Sequence, residues 1–237
     1  MNDLLLILNR LEKSRKNGRK VLSELERHGV KLSGFIARGY RGIVFEGTFK
    51  GKAVAVKVRR SRAKAEKTLK ECRILQYLER FSQSTGEANP APAVYLCTGE
   101  FIVMELVSGR PLRATMEEQP LPASLSAIRA CYFLDRAGVK HSEIKGEKHL
   151  LFDGERVRII DYDTATFSEK PRNVLQFIGY HLIGKPHLLR QIGVSKAELL
   201  SATKVYKEDR EKGFKLITAL LERKGEGFSP HPERIMT

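Results

Sequence analysis

The sequence predicts an α+β chain of two lobes: a small five-stranded β lobe with one helix, then a compact helical lobe, with a helical extension in front. Three observations predict it. The apolar period changes from helical to alternating at Leu32, and helical spacing dominates again beyond Val107. Glycines at 39, 42, 47 and 51 punctuate the alternating stretch, as turns between short antiparallel strands require. In the helical half, a short apolar run, Ile159-Ile160, ends in the carboxylate-bearing Asp161-Tyr162-Asp163.

At 237 residues, 41% apolar and 30% charged, the chain can bury a sizeable core. Lys and Arg outnumber Asp and Glu by 43 to 28, a net charge of +15. Such a surface favours polyanions: RNA or other nucleic acid, nucleotide phosphates, an acidic protein or an anionic membrane surface. A basic composition with no matching partner is the plain alternative. Cys72, Cys97 and Cys131 are far apart and lack metal-ligand spacing, which predicts buried, reduced thiols and a cytoplasmic chain. Residues 4–8 are too short a leucine-rich run for a secretory core or a bilayer span.

Each element has its own reason. Residues 1–30 read as a basic helical extension: Leu4, Leu8 and Leu11 fall at helical spacing, Asn17-Gly18 signals a turn, and Val21, Leu22 and Leu25 resume the period up to Gly29. Arg10, Lys13, Arg15, Lys16, Arg19 and Lys20 form its basic face, either solvated or a docking surface for nucleic acid or a partner. Residues 31–107 form the β lobe. Strands are expected at 35–37, 43–46 and 53–58, a helix over 63–81, and two strands about the Thr98-Gly99 turn, the second over 101–107. Residues 108–224 form the helical lobe, with helices over 124–137, 174–183 and 196–223 and a small hairpin about Asp153-Gly154; 225–237 read as a flexible tail.

The chemistry-bearing residues fall in an order. Gly39 and Gly42 lie in a turn whose backbone could approach phosphates, with Val44 just beyond; a hairpin turn is the alternative. No glycine-lysine-serine or glycine-lysine-threonine run is present, so the turn is not a P-loop. On the strand Ala53-Val54-Ala55-Val56-Lys57, alternation puts Val54, Val56 and Val58 on one face, available to a helix behind the sheet, and Ala55 and Lys57 on the other. Ala55 would admit a flat base and Lys57 would reach its phosphates; an ordinary surface lysine on a strand is the alternative. The next helix offers Glu71, with Ile74, Leu75 and Leu78 on its apolar face, as the partner that orients Lys57; Glu66, nearer the polar face, is the reserve.

Further on, Val103-Met104-Glu105-Leu106-Val107 runs into Ser108-Gly109, either an ordinary edge strand ending in a turn or a connection between the lobes. His141-Ser142-Glu143-Ile144-Lys145 precedes Asp161-Tyr162-Asp163, where hard carboxylate oxygens suit Mg²⁺. The remaining histidines, His28, His181, His187 and His231, lack metal spacing and read as structural or solvated.

This ordered set resembles the protein-kinase superfamily. The glycine turn resembles the kinase glycine-rich loop with Ala37 for its first glycine, and the 141–145 segment resembles the catalytic loop with Glu143 for the usual aspartate. Asp161-Tyr162-Asp163 stands where kinases have aspartate-phenylalanine-glycine. The metal-binding asparagine would fall at Lys148, or at His149 if one residue is inserted near Gly146. No Ala-Pro-Glu motif follows Asp163, so the extended peptide platform is missing, and the trimmed lower lobe is similar to small atypical archaeal Ser/Thr kinases of the RIO type. The resemblance runs from about Phe35 to Gly184. It implies ATP and Mg²⁺ as cofactors and an unknown protein substrate. Glu143, Lys145, Lys57 and Asp161 would be catalytic; Gly39, Gly42, Val44, Ala55, Glu71, Met104, Glu105 and Val107 would hold nucleotide; Asp161, Asp163 and His149 would hold metal. Two other readings stay open: an ATP-binding pseudokinase acting as switch or scaffold, and a small-molecule or RNA-associated kinase.

Overall fold

The structure, a computed structural model, describes residues 15–60, 63–146 and 148–225. A first helix, α1 (Arg15–Arg27), precedes five antiparallel strands: β1 (Val30–Arg38), β2 (Gly42–Phe49), β3 (Lys52–Arg59), β4 (Val94–Cys97) and β5 (Phe101–Glu105), in the order β1-β2-β3-β5-β4. The helix α2 (Ala65–Thr85) joins β3 to β4 and stops at Gly86, whose φ of 72° suits a glycine after a helix. It starts and ends later than the predicted 63–81, and β5 is shorter than the predicted 101–107.

Alternation divides β3 as expected, but the helix that covers its valines is α1. Val54, Val56 and Val58 pack with Ile43, Phe45, Phe101 and Val103 beneath Val21 and Leu25. The opposite face, with Ala55, Ile102 and Met104, packs on Cys72, Ile74, Leu75 and Leu78 of α2 and is continuous with the core of the helical lobe. The turn predicted at Asn17-Gly18 does not form; α1 runs through it. Gly18 is buried and lies on the same stripe as Val21 and Leu25, so packing against the sheet overrides the weak helical preference of these residues. The leucines at 4, 8 and 11 and the basic residues Arg10 and Lys13 lie outside the described residues, as does the tail 226–237.

The expectation of three reduced thiols is corrected. Cys72 on α2 and Cys97 on β4 form a disulfide, because the helix crosses the sheet edge and brings residues 25 apart in sequence together. Cys131 remains a free, buried thiol.

The helical lobe holds short strands β6 (Arg110–Pro111), β7 (Val139–Lys140), β8 (Leu150–Phe152), β9 (Val157–Ile159) and β10 (Thr166–Phe167). β6, β8 and β9 form one small sheet, and β7 pairs with β10. Its helices are α3 (Leu112–Glu118), not anticipated from the sequence, α4 (Pro120–Arg136), α5 (Asn173–Phe177) running on as a π-helical turn (Ile178–Ile183), α6 (Pro186–Ile192), α7 (Lys196–Glu208) and α8 (Arg210–Gly225). Helical spacing predicts one helix over 196–223; the structure breaks it at Asp209, whose backbone is extended (φ −133°, ψ 106°). Asp209 instead caps α8, its carboxylate accepting from the Lys212 N–H at 2.9 Å. A Cβ on Gly213 would lie 2.2 Å from the Cα of Tyr206, so α8 folds back onto α7 at a distance only glycine permits.

Candidate functional site

The site begins with the register of three strands. Val44 on β2 sits opposite Lys57 on β3, and Ala55 on β3 sits opposite Met104 on β5, so all four share the sheet face toward the helical lobe. Gly42 keeps the turn close above: a Cβ there would meet the Lys57 stem at 3.1 Å. The Gly39 carbonyl accepts from the Arg60 guanidinium at 3.3 Å, tying the glycine-rich turn to the end of β3.

Lys57 is 9% exposed and Glu71 is 3% exposed. The Lys57 ammonium lies 2.8 Å from the Glu71 carboxylate and donates to Asp161 Oδ1 at 2.7 Å. Burial opposes its charge, but the carboxylates of Glu71 and Asp161 outweigh that effect and raise its pKa above the usual lysine range. Burial pushes Glu71 up, against the pull of Lys57. For Asp161, burial acts upward and Lys57 overrides it, holding the carboxylate below its ordinary range. Glu71 also accepts the Tyr162 backbone N–H at 3.2 Å, which fastens α2 to the segment after β9. Glu66 is exposed and takes no part.

Asp161 adopts φ +65°, unusual for a residue with a side chain, and so does Ser142 at +72°. Both are held by a buried scaffold. His141 donates from Nε2 to the Ile160 carbonyl at 3.1 Å and meets the Tyr162 ring edge-on at 4.7 Å. Burial, reinforced by nearby His149, lowers its pKa from 6.5 to about 4, so the ring stays neutral.

Behind it stands a network that sequence reasoning missed. Asn173 accepts the His141 N–H at 3.0 Å and donates to the Val139 carbonyl at 2.7 Å. The buried Asp135 carboxylate in turn accepts from Asn173, from the Val174 N–H and from the Tyr206 hydroxyl. A carboxylate inside the apolar run Phe133-Leu134-Asp135 was the available signal, since a buried charge needs partners.

On the loop itself, Glu143 Oε1 accepts from Thr164 Oγ1 at 3.1 Å, and Glu143 Oε2 lies 3.2 Å from His149 Nδ1. His149 Nε2 lies 3.8 Å from Asp161 Oδ2. Of the two positions left open for the missing asparagine, His149 reaches this cluster, whereas Lys148 is exposed. Lys145 is exposed and makes no hydrogen bond or ion pair among the described residues. Asp163 pairs with Arg41 of the glycine-rich turn at 3.1 Å. Among the described residues no three His, Cys, Asp or Glu side chains converge as a metal cage.

At the lobe connection Met104 is buried, and Val107 lies beyond the end of β5. The Glu105 N–H donates to the Ala93 carbonyl at 2.8 Å, and its carboxylate receives Arg158 at 2.9 and 2.6 Å. Arg158 also donates to the carbonyls of Pro90 and Ala91, making an ionic joint between the lobes that sequence reasoning missed as well.

No family model matches the chain. The chain is similar to the RasGEF domain-containing serine/threonine-protein kinase X of Dictyostelium discoideum, at 27% identity over 150 residues, 58% of this chain and 15% of that protein. The likeness is distant, and it reaches a kinase-containing protein. Together with the five-stranded antiparallel sheet set against a helical lobe, it agrees with a bilobal, kinase-like α+β fold. Among the described residues no helix is long and apolar enough to cross a membrane.

Proposed function

We propose that the chain is an ATP-dependent phosphotransferase that moves a γ-phosphoryl group to Ser or Thr hydroxyls of proteins, as a small atypical kinase of RIO type. The contact that carries this reading is Lys57 held between Glu71 and Asp161 on the cleft face of a sheet with a glycine turn above it. Phosphoryl transfer is chiefly positioning and charge stabilisation, and an oriented ammonium beside a carboxylate supplies both. Val44, Ala55 and Met104 would sandwich the base. Because Ala93 takes the Glu105 N–H, reading the base edge falls to the Glu105 carbonyl and the Val107 backbone.

Mg²⁺ fits the donor chemistry: Asp161 keeps Oδ2 clear of Lys57, an oxygen of the hard type this ion takes. When bound it would neutralise charge between the phosphates. Glu143 would accept the hydroxyl proton, and Lys145 would face the transferring group. A second reading, a nucleotide-binding switch without turnover, is favoured by one observation: one Glu143 oxygen already accepts from Thr164, and the other lies 3.2 Å from His149 Nδ1.

Transfer of label from γ-labelled ATP to the chain itself and to generic proteins tests the first reading. Lys57→Ala should abolish it. Equal transfer by parent and variant rules out the kinase assignment, and nucleotide binding without any transfer selects the switch.

A further inference from the structure

Glu143 and His149 stand where the kinase pattern has an aspartate and an asparagine, and the structure joins the two departures into one device. His149 Nδ1 faces Glu143 Oε2 at 3.2 Å, within ion-pair range though not aligned as a hydrogen bond. Thr164 holds the other Glu143 oxygen at 3.1 Å. The imidazole has room because residue 146 is glycine; a Cβ there would come within 2.9 Å of Nδ1. The backbone of His149 is fixed beside the acid, its carbonyl accepting from the Ile160 N–H at 2.9 Å. On the far side of the ring, Nε2 looks at Asp161 Oδ2 across 3.8 Å, while Lys57 occupies Oδ1.

A ligating imidazole ordinarily donates its other N–H to a carboxylate, which sets the tautomer and the ring's aim. Glu143 Oε2 stands 3.2 Å from Nδ1, where a small rotation of the ring would complete that bond. An aspartate, shorter by a methylene, would fall back from it by about an ångström, a displacement of functional weight. Neighbouring donors of an octahedral ion with bonds of about 2.1 Å lie about 3 Å apart, so Nε2 and Oδ2, at 3.8 Å, would close together by roughly an ångström on binding.

We infer that Glu143 and His149 form a carboxylate–imidazole pair that presents Nε2, together with Asp161 Oδ2, to a divalent first-row transition ion, so that nucleotide is taken with Mn²⁺ in preference to Mg²⁺. This rests on the phosphotransfer reading. Mg²⁺ selects oxygen donors, whereas Mn²⁺ accepts an imidazole among carboxylate, phosphate and water oxygens. With two protein donors rather than a cage, the remaining positions belong to phosphate oxygens and water, so tight binding of the ion requires nucleotide.

The test measures dissociation constants of a non-hydrolysable ATP analogue with Mn²⁺ and with Mg²⁺ for the full chain, His149→Asn and Glu143→Gln. It is paired with pulsed EPR of the Mn²⁺ complex of ¹⁵N-histidine-labelled parent and His149→Asn. The parent should show histidine-nitrogen coupling and prefer Mn²⁺. His149→Asn should lose the coupling and about tenfold or more of that preference, and Glu143→Gln should weaken Mn²⁺ binding about tenfold. Nucleotide binding without nitrogen coupling, or with an unchanged Mn²⁺ to Mg²⁺ ratio in His149→Asn, overturns this inference and leaves the phosphotransfer reading standing. Failure to bind nucleotide with either ion overturns both. The EPR measurement on the parent stands even if a variant fails to fold.

Discussion

On one side of the cleft, Lys57 and Glu71 expose 11% and 4% of their side chains and meet at 2.8 Å. On the other, Glu143 exposes 38% of its side chain and holds its neighbours at 3.1 to 3.2 Å. The buried side leaves little chemical choice, because an ammonium out of water survives only when carboxylates compensate it. The half-exposed side can exchange residues, since water completes whatever hydrogen bonds a substitution leaves open. Two of the departures from the kinase pattern, Glu143 and His149, fall on that second side; the third, Ala37, lies on β1.

The comparison breaks most directly at its buried half. Lys57→Ala and Asp161→Asn should each abolish metal-ATP turnover, and Glu71→Gln should cost about tenfold, the worth of one weakened charged hydrogen bond. Parent-like rates in single-turnover assays would remove the contrast altogether.

On the exposed half, Glu143→Asp should lower transfer by about a hundredfold, because the shorter carboxylate withdraws from both Thr164 and His149. A rate equal to or above the parent's would show that the loop is not built around glutamate.

The scaffold behind both halves gives the third prediction. Below pH 6.5 the unfolded chain protonates His141, while the folded chain keeps it neutral down to about 4. Its pKa is depressed on folding, so the unfolded state binds the extra proton and stability falls as pH drops from 6.5 toward 4, by up to roughly 3 kcal/mol. Urea midpoints across this window should show the loss, and His141→Asn should flatten it. Tyr206→Phe, which deletes one bond to Asp135, should cost only about 1 kcal/mol at neutral pH.

The smallest effect concerns the surface. Arg19 and Lys20 of α1 are exposed while Val21 and Leu25 are spent on the sheet, so charge reversal tests the basic face without unroofing the core. Arg19→Glu with Lys20→Glu should weaken RNA binding and reduce the salt slope by about 1 to 2. An unchanged titration leaves α1 as a packing element alone.

What the sequence determined is local. Alternation along 53–58 put Lys57 and Ala55 on one face, and Ile74, Leu75 and Leu78 turned Glu71 inward, because strand and helix periods fix side-chain direction whatever packs against them. Gly29 marked the end of the first helix for the same reason, its left-handed backbone being one that glycine adopts freely. What the tertiary structure decided depends on residues distant in sequence. Spacing pointed to Lys148, and to His149 only with an inserted residue; in the structure Lys148 is exposed and His149 lies 3.8 Å from Asp161. Composition favoured free thiols until α2 laid Cys72 against Cys97. The helix over the β3 valines, the joint of Arg158 with Glu105, and the cage of Asn173, Tyr206 and Asp135 arise only when separate elements meet. Partners of that kind leave no periodic mark on the chain: a buried charge announces that it needs one, and only the packed lobes say which residue it is.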